Sequence, residues 1–183
     1  MISNEMKFRQ LFESYVIVGV PLLSVLIFIL TPSHADDEIL IRLNEFLDEY
    51  LFGNGYYKPS AYPLAAKVTN SFSVILSIGN PLYMFGNFDG IYRRKDVSTP
   101  IQYPFAGMFV LIVLTLLCIW SSMYPQQFSI NPPRRSFGLT ESFHNNPWLF
   151  MMLMIMKNMM IYFGFRIACS FTLFFLIRKQ EYR

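Results

Sequence analysis

Only two cysteines occur in 183 residues, Cys118 and Cys169, and they form no CxxC. A membrane disulfide oxidoreductase needs cysteine pairs near the outer surface, so that chemistry is excluded and both thiols read as small packing residues. Histidine is as scarce. His34 and His144 both fall in polar connecting segments, whereas a membrane haem protein carries its axial histidines within helices. No HExxH, P-loop, GxSxG or acidic metal-binding cluster stands in a suitable context, so the expectation is a non-catalytic chain with no metal and no cofactor. Charged residues make up just 15% of the chain, and no basic patch is interleaved with stacking aromatics. The net charge of +3 therefore asks for no nucleic-acid partner. Internal repeats are absent too, which counts against a transporter of inverted-repeat design.

What is abundant is apolar surface. Hydrophobic residues make up 54% of the chain and aromatics 17%, with 19 Phe and 11 Met, more than one small soluble core requires. A bilayer-crossing helix needs roughly 20 mostly apolar residues, because each adds about 1.5 Å against a hydrocarbon layer about 30 Å thick. Four segments meet that length, at about 15–30, 65–88, 104–123 and 148–177. Backbone amides cannot go unpaired in lipid, so such runs are helices. The expected fold is an all-α membrane protein, a four-transmembrane-helix bundle forming a single membrane domain over 1–183. Polar loops at 31–64 and 125–146 separate spans one and two and spans three and four, and a shorter loop at 89–103 joins the middle pair.

Orientation follows from the basic residues. Lys7 and Arg9 precede span one, Arg93, Arg94 and Lys95 follow span two, and Arg178, Lys179 and Arg183 follow span four, all on one side. The other side has Arg42, Lys58, Arg134 and Arg135, with Lys67 entering span two. The positive-inside rule then makes both termini and loop 89–103 cytoplasmic, in a multi-pass protein of the cell inner membrane. Residues 1–35 also read as a signal peptide, with Lys7 and Arg9 as n-region and Ser33-His34-Ala35 as a small-residue cleavage site. Against cleavage, the apolar run is at the long limit for a signal, and Glu5 and Glu13 dilute the n-region's charge.

The first outer loop contains its own helix. From Asp36 to Phe52, Ile39, Leu43, Phe46, Leu47, Tyr50 and Leu51 recur at helical spacing, opposite Asp37, Glu38, Arg42, Glu45, Asp48 and Glu49. Gly53, Gly55 and Pro59 end it. Its acidic polar face suits a cap over the bundle or an outward surface for a basic partner better than attraction to anionic headgroups.

Polar groups inside the spans are the candidate site. Asn70, Ser73, Ser77 and Asn80 follow at intervals of three, four and three, one stripe down span two, which lipid forces to face inward. Pro21 and Pro81 are expected to bend spans one and two. The fourth segment starts sharply, with Asn146 as N-cap and Pro147 at N1. At about 45 Å it is longer than one perpendicular crossing, so it tilts, projects from the membrane, or breaks near Gly164. It carries Lys157 and Arg166, and no carboxylate lies in the apolar part of any span to pair with them. Nine residues apart, they point to opposite sides of a straight helix. Each has either to reach an interface or to bond to carbonyls or to the Asn70–Asn80 stripe, unless it recognises a partner directly.

In length, span number, orientation, long first outer loop and basic tail, the chain resembles the immunity proteins that protect bacteria from pore-forming colicins of the colicin A type. The residues that resemble the family are Pro21-Leu22-Leu23, Tyr62-Pro63-Leu64 with Lys67-Val68, and Arg178 through Lys179-Gln180. The acidic helix and Arg134-Arg135 depart from it. The resemblance implies an inner-membrane protein that binds a toxin's pore-forming domain in the bilayer before the channel opens. Asn70, Ser73, Ser77, Asn80, Lys157 and Arg166 would then recognise the toxin or set the packing that presents it. A different class of function is an accessory subunit of a secretion or respiratory complex, using Met151, Met152, Met154, Met156, Met159 and Met160 as an adaptable packing face. A small transporter or channel is the third reading. Partners are accordingly the lipid bilayer and a toxin domain, or further membrane subunits, or a second copy of the chain.

Overall fold

The computed structural model describes the backbone of residues 2–53, 55–86, 104–129 and 140–181, and in these it is helical throughout apart from connections. Every basic residue used above to place the cytoplasmic side lies outside the described side chains, as do Arg134 and Arg135 and loop 89–103.

Among the described residues six helices follow in order: α1 Ile2–Leu30, α2 Glu38–Tyr50, α3 Pro63–Met84, α4 Pro104–Met123, α5 Glu141–His144 and α6 Pro147–Glu181. Four are long. Two of these, α1 over Leu11–Leu30 and α6 over Pro147–Cys169, are long and apolar enough to cross a membrane, and α4 has a shorter apolar stretch at Phe109–Met123. Chain proximity follows a simple order. α3 and α6 pack on each other at the centre, α1 lies against α3, and α4 lies against α6.

The helix boundaries have local causes. Asn146 Oδ1 accepts the backbone N–H groups of Trp148 at 3.1 Å and Leu149 at 3.4 Å, so α6 begins with the expected side-chain cap. Pro63 opens α3 at a position where the missing N–H has no partner to lose. α2 stops where Gly53 donates its N–H back to Leu47 O at 2.9 Å. A Cβ on Gly53 would stand 2.5 Å from the Leu47 carbonyl carbon, so no other residue fits that closure. Pro21 and Pro81 lie inside helices that continue past them.

α6 does not break at Gly164. The helix runs on unbroken, and this glycine is instead where α4 comes closest: a Cβ there would lie 1.6 Å from Thr115 Oγ1. A glycine permits so close an approach because it has no side chain.

The apolar core divides into three parts. Tyr56, Tyr62, Ala65, Ala66, Phe150, Met151 and Met154 fill the end where α3 and α6 begin. Val16, Val20 and Tyr162 join α1 to α6 further along. Leu47, Leu64 and Val68 seat α2 on α3. The methionines divide likewise, since Met151 and Met154 are core while Met152 and Met156 are exposed.

Candidate functional site

Asn70 is the pivot of the interior. It sits on the second turn of α3, wholly buried, and its side-chain amide joins four parts of the chain. The amide nitrogen donates to Phe52 O at 2.9 Å, in the loop after α2, and to Ser122 O at 3.1 Å, near the end of α4. Two carbonyls can only accept, so the orientation of this amide is fixed and its oxygen is turned the other way. That oxygen receives a hydrogen bond from the ammonium of Lys157 on α6.

Lys157 has a second neighbour. Its Nζ lies 3.9 Å from the centroid of the Tyr56 ring, a cation–π contact in a water-poor setting. Tyr56 is held there at some cost, because its φ of 65° is the left-handed region that side-chain-bearing residues avoid. Three backbone hydrogen bonds hold it: its N–H donates to Ser121 O at 2.9 Å and to Tyr124 O at 3.1 Å, and its carbonyl accepts from Gln126 N at 3.2 Å. Gly55 permits the approach, since a Cβ there would sit 1.5 Å from Ser122 O. The left-handed conformation aims the ring at the ammonium.

An aromatic plug closes the same end. His144 is fully buried, its ring stacked on Tyr57 at 4.1 Å and bordered by Phe128, Phe143 and Phe150. It ends α5, a four-residue helix that periodicity could not reveal. The Tyr62 hydroxyl donates to the His144 carbonyl, and Asn145 bonds Ala61 N and Ser60 Oγ, so the start of α6 is tied to the start of α3. Burial pushes the Tyr62 hydroxyl up to about 12 and raises Tyr56 and Tyr57 as well. Lys58, nearby, is lowered by burial and then by the charge of Lys67, with Asp48 opposing.

The rest of the stripe is buried only in part. Ser73 and Ser77 are fully buried, whereas Asn80 is half-buried and bonds only its own helix, at Leu76 O, 2.9 Å. Ser24 Oγ donates to Val20 O at 2.8 Å, so in the 2.9 Å contact between Ser24 and Ser73 the Ser73 hydroxyl is the donor. This is the polar tie between α1 and α3. Among the described residues, Thr69 Oγ1, Ser71 Oγ, Ser77 Oγ and both amide atoms of Asn158 are buried with no hydrogen-bond partner.

Arg166 has a carboxylate partner on another helix. Its Nε lies 3.1 Å from Glu13 Oε1, on α1, just ahead of the apolar run. Glu13, which in the sequence dilutes the positive charge of the n-region, is its counter-ion, 153 residues away. Lys157 and Arg166 do face opposite ways, one toward α3 and the other toward α1.

The geometry holds the two charges of α6 still. Among the described residues there is no group of three His, Cys, Asp or Glu that could hold a metal ion. No protein family, no curated protein and no solved structure matches this chain.

Proposed function

We propose that the chain is a four-span inner-membrane immunity protein, with both termini cytoplasmic, that binds the pore-forming domain of a colicin-like toxin within the bilayer and keeps its channel shut. One observation carries the reading: Asn70, Ser73, Lys157 and Arg166 each bond to another helix inside the bundle, which leaves it braced with apolar residues on its outer faces. Leu22, Leu26 and Ile29 are exposed on α1, and Phe109, Val113 and Leu116 on α4. Asn70, Ser73, Lys157 and Arg166 then hold the shape that is recognised and do not touch the toxin themselves. Lipid is as apolar as leucine, so an incoming helix gains from shape and close approach alone. Gly79 on α3 and Gly107 on α4 are exposed with open space around them, which suits such approach.

Expression in sensitive cells challenged with a panel of pore-forming colicins tests it. Survival against one toxin, lost on substituting Gly107→Leu or Gly79→Leu with membrane levels unchanged, is the expected result; killing by every toxin overturns it. A complex of fixed stoichiometry on purification in mild detergent would favour the accessory-subunit reading, for which the exposed Met152 and Met156 are the available surface.

A further inference from the structure

α2 has three faces, and among the described residues the bundle covers one of them. At about 100° per residue, Leu40, Asn44, Leu47, Asp48 and Leu51 cluster on the side that meets α3. Leu47 packs with Leu64 and Val68, and Asn44 and Asp48 each accept from Lys67 Nζ at 2.7 Å. A second row, Ile39, Leu43, Phe46 and Tyr50, lies about 100° round the helix. These four are 80%, 37%, 50% and 66% exposed. The third face is charged: Glu38, Arg42, Glu45 and Glu49, all exposed, with Arg42 bonded to Glu38 at 2.5 Å. Helical spacing groups Ile39, Leu43, Phe46 and Tyr50 with Leu47 on one apolar face; the structure buries Leu47 and leaves the other four exposed.

Bundle to one side, apolar row on the next and charge on the third is the layout of a helix lying flat in a membrane–water boundary. Its level agrees. α2 touches the first turns of α3 and Ile27 in the last turns of α1, the end at which α4 stops and α6 begins. Exposed Trp120, Tyr124 and Trp148 stand at that same end, as aromatic side chains do at headgroup depth. Exposed Ile29 and Leu30 close α1 at that end too, a surface that on the four-span reading is already in lipid.

We infer that α2 is an in-plane interfacial helix whose Ile39–Leu43–Phe46–Tyr50 row is seated in the outer leaflet, and that its occupant is zwitterionic lipid. The choice of lipid rests on charge: three carboxylates and one guanidinium on the water-facing side repel anionic headgroups. The inference rests on the membrane reading above and adds a position, a depth and a headgroup class to it.

Spin labelling of the full chain in phosphatidylcholine vesicles tests it. In a Cys118→Ala, Cys169→Ala background, single cysteines replace Ile39, Leu43, Phe46 or Tyr50, then Glu38, Glu45 or Glu49, and as references Leu22 and Leu116. Collision with oxygen reports lipid, and collision with a nickel chelate reports water. The expected result is a severalfold excess of oxygen over nickel at the four apolar positions and the reverse at the three acidic ones. Nickel access at the apolar row with lipid signals at Leu22 and Leu116 overturns this inference alone. Nickel access at the references as well overturns the membrane reading with it. Shielding of the row from both reagents means that protein covers it and also overturns the inference. Adding phosphatidylglycerol is expected to leave the row no deeper; deeper insertion overturns the zwitterionic assignment.

Discussion

Lys157 and Arg166 share one helix and the same low exposure, 7% each, yet their charges are met in different ways. Lys157 has neutral company, an amide oxygen and a tyrosine ring. Arg166 has a carboxylate. Depth accounts for the difference on the four-span reading. Along a straight helix Lys157 lies about 14 Å from Trp148 and Arg166 about 27 Å, in a hydrocarbon layer about 30 Å thick. Arg166 is then near the far boundary, where Glu13, its side chain still 31% exposed, keeps part of its hydration. A carboxylate beside Lys157 would instead be stripped of water at mid-depth, at several kcal/mol per ion. A dipole and a ring quadrupole cost far less to bury, and both were placed there by backbone: Asn70 by α3, Tyr56 by the bridge to α4.

Removing the neutral ligand is expected to do the most damage. Asn70→Leu leaves the ammonium without its acceptor and the Ser122 carbonyl without its donor, while Phe52 O keeps the Gly55 N–H, a loss of about 3–5 kcal/mol by analogy with breaking a buried charged pair. Adding Lys157→Met should recover most of it, because replacing both partners by apolar groups is close to neutral. Reversible unfolding in mixed micelles measures both. A double variant no better than Asn70→Leu would break the account of Lys157 as a charge solvated by one amide.

Gly55→Ala attacks the same region through the backbone. The new methyl would overlap the Ser122 carbonyl, an atom with no rotamer to move, so the loop carrying Tyr56 must retreat at about 3 kcal/mol. The ring leaves the ammonium as a result. Near-ultraviolet circular dichroism should register the change in the aromatic plug; a spectrum like that of wild type would show that the bridge tolerates the displacement.

The partly hydrated pair at the other end should matter less. Glu13→Ala is expected to cost about 1 kcal/mol, since exposure and solvent screening discount an ion pair that is not fully enclosed. Its contribution should also shrink in high salt, while that of Asn70 should not. A charge reversal, Glu13→Arg with Arg166→Glu, restores stability if the pair is what holds α1 to α6 here. Equal salt sensitivity at the two sites would erase the contrast.

Much of this contrast was legible beforehand, and the part that was not has a common cause. The positions of the long helices, the Asn146 cap and the inward turn of Asn70, Ser73 and Ser77 all follow from helical period and from the rule that polar groups avoid apolar surroundings. Lys157 bonding to that stripe is the same argument carried one step further. Glu13 was hidden because its partner is on another helix, and no periodicity links residues so distant. Tyr56 and His144 were hidden for a different reason: a left-handed tyrosine and a one-turn helix are products of tertiary contact and leave no pattern in the chain. On α2 the period was read correctly but the faces were not, because the pattern identifies apolar positions without saying which neighbour covers them.

The smallest expected effect concerns the lid over Lys157 and is read with alkali. Tyr62 donates its hydroxyl hydrogen to the His144 carbonyl, and burial lifts its titration from the ordinary 10.0 to about 12. The folded chain therefore holds this proton more tightly than the unfolded one between those two values. The stabilisation is complete below pH 10 and is lost as pH rises toward 12. Tyr56 and Tyr57 shift the same way, so wild-type stability should fall across the whole window. Tyr62→Phe should begin slightly less stable at neutral pH, having lost one hydrogen bond worth about 1 kcal/mol, and then decline less steeply. The two unfolding curves converge as pH rises if the tyrosine bond is what fastens α3 to the start of α6. Parallel curves would mean that the plug is held by stacking around His144 alone, and that the outer end, unlike the Lys157 centre beneath it, does not depend on any one polar contact.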